Sequence, residues 1–168
     1  IRLSLVGSEM CIRDRASSLH YDLRLELDGT MKSWAVPKGP SFDPADKRMA
    51  IHVEDHPISY NTFEGVIPAK QYGAGKVIVW DKGTWVPIGD AHEGYAQGNL
   101  KFEFHGHKLQ GRWALIRIKS KNTRQDAWLL IKEKDTLARS ASEFSVVDEL
   151  PDSVAALPAL ATPVSYTH

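Results

Sequence analysis

Leu19-His20-Tyr21-Asp22-Leu23-Arg24-Leu25-Glu26-Leu27 (LHYDLRLEL) alternates without a break between two kinds of side chain. Alternation at period two marks a β-strand whose faces meet different surroundings. Leu19, Tyr21, Leu23, Leu25 and Leu27 share one face, and His20, Asp22, Arg24 and Glu26 share the other. Asp28-Gly29 then suits a tight hairpin turn, with Met31 to Val36 as the returning strand. Working outward, Met49 to Val53, Lys76 to Trp80, Thr84 to Val86, Asn99 to Phe104, Gly111 to Ile118 and Ala127 to Ile131 read as further short strands. Turns are expected at Pro37 to Pro40, at Asp81 to Gly83 and at Gly106, with a short helix within 133–145 and His92 in a polar loop. His52 has the opposite parity from Ile51 and Val53 and is expected to face solvent. The tryptophans Trp34, Trp80, Trp85, Trp113 and Trp128 fall in apolar strands, as core residues do. Strands spaced this way predict a mainly β fold, a small antiparallel β-barrel with short helical and loop decorations. Closing a barrel also removes exposed strand edges.

The chain has 168 residues, 42% hydrophobic and 25% charged, which suits one ordinary domain. Lys+Arg and Asp+Glu are both 21, so a globally basic coat for nucleic acid is excluded, whereas a local basic site is not. No apolar run approaches the ~18 residues of a membrane span, so no membrane partner is expected. The single cysteine, Cys11, excludes an internal disulfide and a multi-cysteine zinc site, and a reduced cytoplasmic setting is expected. Residues 1–15 (IRLSLVGSEMCIRDR) show neither strand alternation nor a helical stripe. They and the closing PVSYTH, residues 163–168, resemble translated sequencing-adapter read-through. The expected organisation is an artefactual or disordered segment over 1–15, a barrel domain over 16–135 and a linker-like tail over 136–168.

Same-face neighbours on a strand lie about 6.6–6.8 Å apart, so His20 and Asp22 can lean together onto one divalent ion. The fork of Arg24 would then grip an anion held by that ion. The alternative is a solvated outer face with no task. His56, in Val53-Glu54-Asp55-His56-Pro57, ends a strand before a proline-fixed turn, and Tyr60 comes four residues later. Lys38 lies in Val36-Pro37-Lys38-Gly39-Pro40, and Arg48 precedes the strand that carries His56. Singly these are a loop cation, a strand-end cation and an amphipathic ring; together with His20-x-Asp22 they suggest a metal-assisted phosphoryl site. Gly73-Ala74-Gly75-Lys76 is not a phosphate-binding P-loop, because Lys70 stands where its first glycine belongs. Glu26-Leu27-Asp28-Gly29 lacks the lysine of a ligase adenylation motif.

The string Ala16 to Glu26, with SWAVPKGPS (33–41), VEDHP (53–57), FEGVIP (63–68), QYGAG (71–75), GRWALIR (111–117) and WLLIKEKD (128–135), resembles the 3′-phosphoesterase module of bacterial DNA ligase D. The resemblance implies a small β-barrel that uses a divalent ion, manganese with zinc or cobalt as alternatives. It implies removal of 3′-terminal ribonucleotides and 3′-phosphates from DNA or DNA–RNA primer ends during break repair. Ligase and polymerase domains of the same enzyme are the implied partners. By the same resemblance His20 and Asp22 are metal ligands, Arg24 grips phosphate, His56 and Tyr60 face the scissile phosphate, and Lys38 and Arg48 make supporting phosphate contacts. The family's further ligand is a histidine where this chain has Asp14, which puts the third ligand in doubt. A catalytically silent DNA-end-binding module is the alternative.

Overall fold

The computed structural model of the chain describes the backbone of residues 2–15, 18–56, 65–67, 75–119, 126–154 and 156–157, and side chains over 21–55, 79–119, 126–154 and 156–157. The strands are β1 (Arg2–Arg15), β2 (Ser18–Leu27), β3 (Thr30–Val36), β4 (Arg48–His56), β5 (Gly65–Ile67), β6 (Gly75–Pro87), β7 (Asn99–Gly106), β8 (Gln110–Arg117) and β9 (Asp126–Lys132). Helix α1 (Ala91–Gln97) precedes β7, and α2 (Val146–Glu149) comes after β9. The hydrogen-bonded order is β1-β2-β3-β4-β9-β8-β7-β6-β5. These neighbours run antiparallel, and β1 also pairs in parallel with β6, which brings the sheet back onto itself. The mainly β, antiparallel barrel expected from strand spacing is the fold observed.

The apolar row of β2 builds the core. Tyr21, Leu23 and Leu25 are buried in one cluster with Trp34, Phe102, Phe104, Trp113 and Leu130. All five tryptophans are buried, as the sequence led us to expect. Asp28 and Gly29 both take positive φ, 55° and 81°, which is the backbone a two-residue hairpin turn with right-handed strand twist needs.

Five expectations are corrected. Arg2–Arg15 form a strand, β1, held by backbone pairing to β2 and β6, so the absence of alternation did not exclude one. Asp81 to Gly83 is no turn but the middle of β6. There the Asp81 carboxylate is fully buried and accepts the backbone N–H of Lys82 (2.9 Å) and His107 (2.8 Å) at Oδ1 and of Leu109 (2.7 Å) at Oδ2. A Cβ on Gly106 would stand 2.6 Å from Asp81 Oδ2, so only glycine lets this turn close over the carboxylate. Residues 133–145, all described, hold no helix; instead α1 carries His92, capped by Asp90, whose side chain accepts from His92 N and Glu93 N, and ended by left-handed Gly98. His52 does not face solvent: it packs on Trp34, Tyr95 and Trp128. Finally, residues 144–154 are not a free linker. Val146 and Val154 are buried, and Trp80 Nε1 donates to the Leu150 carbonyl at 2.8 Å.

Candidate functional site

The polar row of β2 lies on the face turned away from the core. The alternation through Leu27 is unbroken, so positions 20, 22, 24 and 26 occupy one row of the strand. The hairpin register then sets Ala35 opposite Asp22, Ser33 opposite Arg24 and Met31 opposite Glu26. Asp22 is half-buried, whereas Arg24 has 0% exposure. A guanidinium removed from water is costly unless charge or hydrogen bonds hold it, so the solvated-face alternative does not describe Arg24. Ser33 is also fully buried, and its hydroxyl donates to the Met31 carbonyl at 3.1 Å. Sequence reasoning overlooked Ser33, although the Asp28-Gly29 turn already fixed it opposite Arg24.

Strand β4 adds the next position through an irregularity. Ser33 pairs with Val53, Trp34 with His52 and Ala35 with Ile51, but Met31 pairs with His56 rather than Asp55. One extra residue on β4 therefore transfers position 56 to the row that runs through Met31 and Glu26. Arg24 and His56 end up about 10 Å apart across two strands and about 7 Å apart along them. The side chains of His20 and His56 and the whole of Tyr60 lie outside the described residues.

The supporting cations are elsewhere. Lys38, Lys47 and Arg48 line one pocket of about 250 Å³ with Pro37, Asp46 and Met49. Asp46 Oδ2 lies 3.7 Å from Arg48 Nη2 and accepts the Ser41 hydroxyl at 2.6 Å. The buried Arg48 Nε has no hydrogen-bond partner among the described residues. Arg48 and His56 start and end the same strand, about 26 Å apart in extended backbone, so the structure separates Lys38 and Arg48 from His56. Lys47, unremarked in the sequence, belongs with Lys38 and Arg48.

The register of β1 bears on the third metal ligand. Arg13 stands opposite His20 and Cys11 opposite Asp22, while Asp14 stands opposite Leu19. Position 14 therefore belongs to the apolar row, not to the row of His20 and Asp22. Among the described residues no group of three His, Cys, Asp or Glu side chains gathers around a common point. No helix among them is long and apolar enough to cross a membrane.

A second polar group, partly exposed, packs against the buried Trp34 and Trp128 at one end of the barrel. His52 Nδ1 lies 3.1 Å from Asp126 Oδ2 and His52 Nε2 lies 2.6 Å from the Tyr95 hydroxyl. Arg117 Nε lies 3.3 Å from Asp126 Oδ1 and its guanidinium sits 4.9 Å over the Trp128 ring. Burial holds the His52 imidazole below its ordinary pKa despite Asp126, and burial raises Tyr95. A neutral imidazole bridging a carboxylate and an un-ionised phenol closes the barrel end; it offers no activated nucleophile.

The chain is thus a small antiparallel β-barrel with a carboxylate and a sequestered guanidinium on one non-core strand row, and a separate pocket lined by Lys38, Lys47, Arg48 and Asp46. Residues 13–117 match the family described as the DNA ligase D 3′-phosphoesterase domain, and the chain belongs to that family. It is 59% identical over 139 residues to the multifunctional non-homologous end joining protein LigD of Pseudomonas aeruginosa, covering 83% of this chain and 16% of that protein. It is 45% identical over 125 residues to the multifunctional non-homologous end joining DNA repair protein LigD of Mycobacterium tuberculosis, covering 74% and 16%. With the LigD protein of Mycolicibacterium smegmatis it shares 40% identity over 146 residues, covering 83% and 18%. The chain thus spans about a sixth of the length of these relatives.

Proposed function

We propose that this domain hydrolyses phosphate esters at the 3′ ends of DNA or DNA–RNA primers, removing terminal ribonucleotides and 3′-phosphates so that a 3′-hydroxyl remains for sealing. The observation that carries this is Arg24, with no exposed surface, on the same β2 row as Asp22 and facing away from the core. Membership of the 3′-phosphoesterase family supports the choice of ester.

His20 and Asp22 supply one nitrogen and one oxygen donor on one row, a pair suited to manganese, with zinc and cobalt as alternatives. An ion held there would supply charge neutralisation at the phosphoryl oxygens. Two donors are fewer than the resemblance implies, and the register of Asp14 does not add a third. The remaining work falls to the chain's own groups. Arg24 orients the phosphoryl group through its planar fork and offsets the charge that builds on its oxygens. Water forms the new P–O bond as the bond to the departing oxygen breaks. The resemblance assigns His56 and Tyr60 to the departing oxygen, to which an imidazolium gives a proton or whose charge a neutral ring steadies. Lys38, Lys47 and Arg48 take a phosphate of the strand backbone away from the reacting end.

Asp14, where the family has histidine, favours one second reading, an end-binding module without turnover that presents DNA to ligase and polymerase domains of the same enzyme. Release of inorganic phosphate from a 3′-phosphorylated primer-template with manganese separates the two. The proposal expects release that stops on chelation; tight binding with no release would favour the silent module.

A further inference from the structure

The extra β4 residue that shifts the register lies opposite Lys32, the one β3 residue between the paired positions 31 and 33. Two residues, Glu54 and Asp55, face that single position, which is the geometry of a β-bulge. Lys32 does not trail into solvent there. Its ammonium donates to Asp55 Oδ2 at 2.8 Å and sits 5.2 Å over the Tyr95 ring. Tyr95 in turn is fixed by its bond to His52 and by edge packing on Trp34. Asp55 is thus tied to the core-side end of the barrel, through a cation anchored on a buried aromatic cluster.

The tie decides which residue occupies the other face. A regular ladder would set Asp55 opposite Met31, on the row of Glu26, and turn position 56 towards the opposite face. With Asp55 drawn to Lys32, the next residue takes its place. We propose that Lys32 is a positioning residue: its ion pair with Asp55 holds the β3–β4 bulge that delivers His56 to the row of Asp22 and Arg24. The catalytic consequence rests on the function proposed above; the structural claim does not.

The test uses the full chain in three forms, wild type, Lys32→Met and Asp55→Asn, with the exchanged pair Lys32→Asp/Asp55→Lys as rescue. Lys32→Met keeps the aliphatic stem over Tyr95, so folding is preserved, and the far-ultraviolet spectrum and melting curve verify this. Cross-strand backbone NOEs on labelled protein read the register directly. The expected result is a 31–56 contact in wild type that gives way to a 31–55 contact in both single variants and returns in the exchanged pair. Hydrogen exchange at the His56 amide should quicken in the same two variants. Phosphate release should fall about fivefold in kcat with KM unchanged, the scale of one exposed ion pair, and this fall should vanish on a His56→Ala background. An unchanged 31–56 contact in both single variants overturns the proposal. A register that moves in a protein whose wild type releases no phosphate upholds the tie and overturns the assigned function instead.

Discussion

Arg24 shows why one strand row carries the site. Its neighbours Leu23 and Leu25 anchor the strand in the core with 0% and 1% exposure, so the backbone has no freedom to turn Arg24 elsewhere. Leu23→Asp should therefore unfold the domain, since a carboxylate there loses its water with no partner, an expected loss of more than about 4 kcal/mol. Urea denaturation followed by tryptophan fluorescence checks it. Asp81 makes a different prediction. Burial pushes its carboxyl from the ordinary 3.8 up to about 7, against backbone N–H donors that pull it down. The folded chain then holds this proton to a higher pH than the unfolded chain does. Its stabilising contribution is complete below pH 3.8 and is lost as pH rises through 7. Urea midpoints from about pH 5 to about pH 7.5 should fall for the wild type relative to Asp81→Asn, which cannot titrate. The alternation legible in the sequence separated Leu23 from Arg24. Asp81-Lys82-Gly83 misled because its composition is that of a turn, while the N–H groups that satisfy the carboxylate come mostly from 107 and 109, distant in sequence.

Helix α1 and the β4 bulge mark where strand counting stopped short. The seven-residue α1 is too short for a hydrophobic stripe, but its ends were readable: Asp90 and Glu93 in N-terminal cap spacing and Gly98 as the left-handed stop. Asp90→Ala should cost about 1 kcal/mol, read as a lowered urea midpoint with an unchanged slope. The loss should spread to the Tyr95–His52 bond, because α1 carries Tyr95 onto the barrel end. The bulge has no local signature. Val53-Glu54-Asp55-His56 is compatible with either register, and the Lys32–Asp55 pair that distinguishes them joins residues 23 apart. The His52 reading failed for a related reason: parity was judged within β4, whereas its pairing with Trp34 shows which side of the sheet is core.

The barrel as a whole is finished by the segment beyond its last strand. Residues 144–154 add Phe144, Val146 and Val147 to the core, while Val154 N donates to the Val79 carbonyl at 2.7 Å. Lys82 Nζ donates to the Leu157 carbonyl at 2.5 Å, extending the seam along β6. The Ala- and Pro-rich composition suggested a tether, but two buried valines decide otherwise. Removing residues 144–168 should cost about 3–6 kcal/mol, the burial of two aliphatic side chains, and expose Trp80 to quenching. Within this frame the central claim is that the β2 row processes phosphorylated 3′ ends. The most direct measurement is manganese-dependent phosphate release from a 3′-phosphorylated primer-template, comparing the wild type with Asp22→Ala at matched melting temperature. Release by the wild type and a fall of at least about 100-fold in Asp22→Ala are the predicted result; equal release by both proteins would contradict the account.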